Sequence, residues 1–272
     1  MQISNDGGQK VMDFGMPFLL ENASQEDCVE LCNKLGLQFI EWNMNFPQCQ
    51  LEQLDANRLK QIHKETGIYY TIHLDENLNI SEFNPKVKQA YLDIVRATIE
   101  LARQIDAPII NMHLAKGIYI TLPTERVFLY KKYHEFYMQN MINFRAMCES
   151  MIGDSKIMIA IENTDGFEEY EKQAIEVLLQ SKCFGLTLDI GHSHVVKDMD
   201  IPFYEKHISR LIHMHAHDAN SSHNHLAFGD GEVNLRQRLD MANKANARVV
   251  LETKTIEALT NTVSYIHKNF NI

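Results

Sequence analysis

Residues 157–162 read Ile157-Met158-Ile159-Ala160-Ile161-Glu162, and after a polar turn and the amphipathic stretch Gln173–Gln180 come Phe184-Gly185-Leu186-Thr187-Leu188-Asp189. Both apolar runs are short and both end on an acid. Such runs suit strands buried on both faces, as in a parallel sheet. The helical pattern between them is the crossover that parallel strands require. Period-two alternation places Ala160 with Glu162, and Thr187 with Asp189, on one face of each strand. The larger Ile159, Ile161, Leu186 and Leu188 take the other face, which would meet a helix layer. The polar parity is therefore interior, and it aims each terminal acid over the axis of whatever the strands enclose.

The same unit recurs along the chain. Further runs are Phe39-Ile40-Glu41-Trp42, Tyr69-Tyr70-Thr71-Ile72-His73, Pro108–His113, Leu211-Ile212-His213-Met214-His215 and Arg248-Val249-Val250-Leu251-Glu252. Helical spacing is expected from Ser24 to about Leu35, over Val87–Gln104, Pro123–Met151 and Ile256–His267, and near Leu235–Lys244. These runs count as strands two to eight, which puts the first near Met1–Ser4 or Val11–Phe14. Eight strand–helix repeats in 272 residues predict a single (β/α)8 TIM barrel over 1–272, with its site at the C-terminal mouth of the strands. An open doubly wound sheet would call for a Gly-rich phosphate loop after the first strand, and Asp6-Gly7-Gly8 is too short for one.

Composition narrows the function classes. Hydrophobic residues are 45% and charged residues 23%, which excludes disorder, collagen and coiled coil. No apolar stretch approaches the length of a membrane helix. Val11–Leu20, broken by Asp13, Gly15 and Pro17, makes a poor secretory signal. Cys28, Cys32, Cys49, Cys148 and Cys183 form neither an even set nor a C-x-x-C pair, so reduced thiols of a cytoplasmic protein are expected. A formal charge of −10 argues against broad capture of nucleic acid.

Each of the last six expected strands ends in a potential metal ligand: His73, His113, Glu162, Asp189, His215 and Glu252. In a barrel these ends open onto one face. A second concentration lies at 192–225, with eight histidines around the strand Leu211–Met214. Mixed imidazole and carboxylate ligation without thiolates suits a divalent ion, with Zn²⁺ or Mn²⁺ the leading choices and Co²⁺ or Fe²⁺ compatible. Glu162, Asp189, His215 and Glu252 would hold one ion. His73 and His113 with a bridging Glu162 would hold a second, and His192, His223 and His225 a third.

The motifs Thr71-Ile-His73, Asn111-Met-His113, Ile161-Glu-Asn-Thr164, Leu188-Asp-Ile-Gly-His192, His215-Ala-His-Asp218, His223-Asn-His225-Leu-Ala-Phe-Gly229-Asp-Gly231 and Leu251-Glu-Thr253 span about residues 71 to 253. Together they resemble the xylose isomerase-like barrel superfamily, which includes sugar-phosphate isomerases and epimerases and endonuclease IV. The resemblance implies that Glu162, Asp189, His215 and Glu252 hold the central metal. It also implies that Glu162 and Glu252 form the acid/base pair, and that His192 contacts a substrate oxygen when one metal binds. Endonuclease IV uses three zinc ions on positions matching His73, His113, Glu162, Asp189, His192, His215, His225 and Glu252. Its remaining ligand is an aspartate where this chain has His223, and its usual His-Pro-Gly is here His113-Leu-Ala.

The leading expectation is a divalent-metal-dependent isomerase or epimerase of a small sugar, polyol or sugar phosphate. A multi-zinc phosphodiesterase resembling endonuclease IV, or a lyase or dehydratase on the same scaffold, are the alternatives. Lys116, Lys254 and Glu41 are candidate substrate contacts, the alternatives being solvated surface positions for the two lysines and a salt bridge for Glu41, and Asp218 is a support for the loop or a ligand histidine. His217 reads as an ordinary loop histidine, Trp42 and Phe46 as core, and Gly229 and Gly231 as turn glycines.

Overall fold

The strand–helix unit closes on itself. The computed structural model describes residues 12–270. Its chain runs β1 (Phe14–Pro17), α1 (Gln25–Lys34), β2 (Phe39–Asn43), α2 (Ala56–Thr66), β3 (Tyr69–His73), α3 (Pro85–Gln104) and β4 (Ile109–His113). A small antiparallel hairpin follows, β5 (Tyr119–Thr121) with β6 (Arg126–Phe128), and then α4 (Leu129–Lys132) and α5 (His134–Ile152). The barrel resumes with β7 (Met158–Glu162), α6 (Glu169–Leu178), β8 (Phe184–Asp189), α7 (Ile190–Val195) and α8 (Ile201–Lys206). It ends with β9 (Leu211–Ala216), α9 (Leu235–Ala245), β10 (Arg248–Leu251) and α10 (Ile256–Phe270). Eight parallel strands form a closed barrel in the order β1-β2-β3-β4-β7-β8-β9-β10, with β10 back against β1: a TIM barrel.

The first strand falls at Phe14–Pro17, while Met1–Ser4 and Asp6–Gly8 lie outside the described residues. The long helix expected over 123–151 is instead split. Tyr119, Ile120 and Thr121 pair with Phe128, Val127 and Arg126, holding the first part extended, and Tyr133 breaks the helical path at φ −105°, ψ 50°. Helix α2 escaped the sequence reading altogether, although its start and stop are conventional. Asp55 accepts from the amides of Asn57 and Arg58, and Gly67 closes it in the left-handed conformation. Helix α1 starts where expected, with the reciprocal Ser24–Asp27 capping pair. All five cysteines are free, and four of them are buried.

Parity along the strands holds. The interior carries a polar column: Arg248 Nε donates to Tyr69 Oη (3.0 Å), whose hydroxyl donates to Asp13 (2.8 Å). Above it Phe39 stacks on Tyr69, and above that lie Thr71, Glu41 and His213. Ile159, Ile161, Leu186 and Leu188 are fully buried in the apolar core.

One buried acid outside the mouth has a measurable signature. Glu171, in the first turn of α6, is 1% exposed and accepts from the Glu168 amide. Burial pushes its carboxyl up from 4.5 to about 8. The folded protein thus keeps a proton that the unfolded chain gives up above about pH 4.5. The contribution is full below that pH, is lost as pH rises towards 8, and is level above it. Glu171→Gln, which cannot ionise, is expected to lose less melting temperature than wild type between pH 5 and pH 9. Equal losses in calorimetry at the two pH values would refute this.

Candidate metal centre

Four neighbouring strands deliver four ligand groups to one point. Glu162 ends β7, Asp189 ends β8, His215 lies one residue from the end of β9, and Glu252 follows β10. One donor atom from each lies within 4.8 Å of the others, and all four residues are buried. His215 Nδ1 faces Glu162 Oε1 at 2.9 Å and Glu252 Oε2 at 3.3 Å. Burial alone would raise the pKa values of the three carboxyls. His215 and His113 hold Glu162 well below the usual carboxylate range, and His215 with Lys254 does the same for Glu252. His217 and His192 lower Asp189. Burial works against a charge on His215 too, yet Glu162, Glu41 and Glu252 raise it well above the ordinary histidine value. Three ionised carboxylates so close together call for compensating positive charge. A divalent cation among the same four donors would satisfy that demand, and their hard, anionic set would suit one.

Supporting side chains fix these groups. Asn111 Nδ2 donates to Glu162 Oε2, and the Asn111 carbonyl accepts from Thr187 Oγ1 (2.5 Å). Asn163, directly after Glu162, brackets the backbone of Asp189. Its Oδ1 accepts from Asp189 N (2.8 Å) and its Nδ2 donates to Asp189 O (3.0 Å). The Tyr204 hydroxyl lies between two acceptors, Thr187 O (2.6 Å) and Asn163 Oδ1 (2.9 Å), which share its one hydrogen. The sequence reading passed over Asn111 and Asn163. Their signal was parity for Asn111, two residues before His113, and adjacency for Asn163.

His73 and His113 stand over the other side of Glu162, with Nε2 atoms 3.2 and 3.3 Å from its Oε2. Burial opposes charge on His73, but Glu162 brings its pKa up to about 9. His192 and His225 also reach the mouth, and their rings meet edge to face at 5.3 Å. The third member of that group is His217 rather than His223. Fully buried, His217 donates from Nε2 to Asp189 Oδ2 (3.1 Å), and its Nδ1 accepts the His225 amide (2.8 Å). Both ring nitrogens are therefore engaged, and His217 steadies Asp189. His223 is exposed and its Nδ1 meets Ser222 Oγ at 2.9 Å, so the structure does not bring it to the mouth. Gly191 makes this packing possible, since a Cβ there would lie 1.9 Å from the His217 ring.

The remaining candidates fall in different places. Lys254 Nζ pairs with Glu252 Oε1 at 2.8 Å, and both border a cleft of about 230 Å³ walled by Pro17, Phe18, Phe46 and Asn43. Trp42 is buried behind that wall, with its ring 6.1 Å from Phe18. Lys116 pairs with Asp165 at 2.8 Å instead. Glu41 lies beneath the mouth, because β2 runs on to Asn43 and it is Asn43 that reaches the cleft. Asp218 accepts from the amides of Ala219, Gly229, Gly231 and Val233, and so pins the loop that carries His225. A side chain at Gly231 would collide with Asp218 at 2.4 Å.

Residues 29–266 match the family described as xylose isomerase-like TIM barrel. The chain belongs to that family. An uncharacterised protein of Methanocaldococcus jannaschii is 29% identical over 208 residues, covering 73% of this chain and 76% of that protein. Among solved structures, a D-tagatose 3-epimerase-like protein superposes with a TM-score of 0.78 at 21% identity, covering 96% of this chain and 97% of the other. An L-ribulose 3-epimerase gives 0.73 at 15%, covering 96% and 95%. The IolI protein with a bound zinc atom gives 0.73 at 14%, covering 96% and 100%. At these identities the superpositions show the shared fold. Among the described residues no helix is long and apolar enough to cross a membrane.

Proposed function

We propose that this protein is a divalent-metal-dependent isomerase or epimerase of a small sugar, polyol or sugar phosphate. The observation that carries the reading is the convergence of Glu162, Asp189, His215 and Glu252 within 4.8 Å, with Glu252 bordering an accessible cleft. Those four residues would hold the ion, and when bound it would polarise the oxygens of a hydroxy-carbonyl substrate. The cleft is below the roughly 300–1,000 Å³ of drug-sized sites, which favours a small ligand. Epimerase and zinc-bound neighbours of the same fold agree with this choice.

The chain's own groups supply the proton chemistry. Glu252 is ionised and is the more open of the two glutamates, with its side chain 10% exposed against 2% for Glu162. It is placed to take the hydrogen next to a carbonyl, while Lys254 fixes its outer oxygen. Glu162 is the partner on the other side: ionised like Glu252, it would return a proton only after taking one up, and His73, whose Nε2 lies 3.2 Å from its Oε2, is a group with one to give. His192, 27% exposed, is placed to donate to a substrate oxygen. Phe18 and Phe46 exclude water from one wall of the cleft.

The test is hydrogen exchange in D₂O with a panel of keto- and aldo-sugars and their phosphates. Deuterium is expected at the carbon beside the carbonyl with Mn²⁺ or Zn²⁺ present, less after dialysis against EDTA, and again on metal return. No exchange across the panel, together with about three zincs per chain and cleavage of abasic DNA, would favour the hydrolytic reading. Water loss rather than exchange would favour the lyase.

A further inference from the structure

Glu41 is an acid of the barrel interior that the proposed chemistry leaves without a task. It sits at the third position of β2, in register with Thr71 and two residues below Asn43. The side chain is buried, and it is Asn43 two residues on, not Glu41, that lines the cleft, so Glu41 is out of a substrate's reach. Its carboxylate is filled by the protein instead. Thr71 Oγ1 donates to Oε2 at 2.9 Å, His213 Nε2 to Oε2 at 2.8 Å, and His215 Nε2 to Oε1 at 2.7 Å.

An ionised carboxylate only accepts, so each imidazole facing it must carry its hydrogen on Nε2. For His213 this leaves Nδ1 buried and without a partner. His213 therefore gives Glu41 a hydrogen bond and takes no other side-chain or backbone group in exchange. For His215 the consequence is different. Its Nδ1 is left as the nitrogen that looks toward Glu162 Oε1 and Glu252 Oε2.

We propose that Glu41 is the positioning residue of the metal centre: clamped by Thr71 and His213, it holds the His215 proton on Nε2 and so presents the Nδ1 lone pair to the cation. This rests on the reading of His215 as a ligand. Negative charge behind an imidazole also raises its basicity toward a metal, and losing such an outer partner typically costs 10–100-fold in affinity. A purely structural ion pair would secure the fold without setting which nitrogen binds.

The experiment uses the full chain, wild type and Glu41→Gln, with ¹⁵N-labelled histidine and Zn²⁺. Long-range ¹H–¹⁵N correlation reads the protonated and the metal-bound nitrogen of each ring, and competition titration gives the zinc affinity. Wild type is expected to show His215 protonated at Nε2 and bound through Nδ1. Glu41→Gln, whose amide offers one acceptor to two imidazoles, is expected to bind zinc about 10–100-fold more weakly. With zinc bound, its His215 should divide between Nδ1 and Nε2 coordination. Zinc on Nε2 of His215 in wild type would overturn the proposal even if the variant did not fold. Unchanged affinity and an unchanged His215 signal in a folded variant would overturn it while leaving the metal centre intact. Wild type that binds no zinc, with no His215 shift, would overturn the metal reading and this one with it.

Discussion

Glu252→Gln is expected to slow solvent exchange at the substrate carbon by about 10²–10⁴-fold, the usual contribution of a positioned general base. The substitution keeps size and removes charge. Glu252 touches the cleft, His215 and Lys254, and its loss of basicity acts on the reacting hydrogen directly. The Lys254 ion pair contributes little to the effect on stability, because that side chain is 53% exposed. Melting temperature should therefore change by no more than a few degrees. Glu162→Gln should behave differently. Both Glu162 oxygens are occupied, by His215 on one side and by Asn111, His73 and His113 on the other. Both variants remove a donor of the metal centre and are expected to bind metal more weakly, but only Glu162→Gln is expected to lose stability as well as rate. Exchange measured at saturating metal takes the shared loss out of the comparison, and calorimetry separates the two variants. Wild-type exchange in Glu252→Gln would remove Glu252 from the acid/base role.

What the sequence made legible follows from burial. A strand covered on both faces has to be apolar in one parity and tightly constrained in the other, so Thr187-Leu188-Asp189 announces its own geometry. The same holds for Tyr69-Tyr70-Thr71-Ile72-His73. Residues whose position depends on loops were harder to read. His217 and His223 are both histidines just past β9, and nothing in their spacing tells which one turns inward. The choice is made by Asp218, which collects four amides, and by His225, which adopts φ 55°. The sequence leaves Glu41 ending its strand, with a substrate contact and a salt bridge both open, and its pairing with His213 and His215 is the second of these. Trp42 ends the apolar run, but Asn43 continues the ladder opposite His73, so Glu41 drops one layer below the mouth. The hairpin β5–β6 was invisible for the opposite reason: its residues are largely exposed and leave no burial pattern to find.

Asp189 performs two jobs, and two substitutions are expected to pull them apart. As the N-cap of α7, its Oδ1 accepts the His192 amide at 2.7 Å. As an interior anion it takes the Nε2 hydrogen of His217 and joins the four-donor group. Asparagine caps a helix about as well as aspartate. Asp189→Asn should therefore keep α7 in place, at a cost of about 1–3 kcal/mol for the poorer His217 partner. It should nevertheless lose metal affinity by at least about 100-fold, the upper end of what an outer-shell loss produces. Asp189→Ala removes the cap and strands His217 without an acceptor. Breaking a buried charged pair costs about 3–5 kcal/mol, which at about 2–4 °C per kcal/mol for a chain of this size lowers the melting temperature by roughly 6–20 °C. Calorimetry and elemental analysis on both variants read the two jobs separately. Retained metal in Asp189→Asn would show that the ion is not held by the β8 end, and the isomerase reading would lose its centre. Retained metal in Asp189→Ala, with the melting temperature down, would leave the aspartate as a cap and the acceptor for His217, and not a ligand.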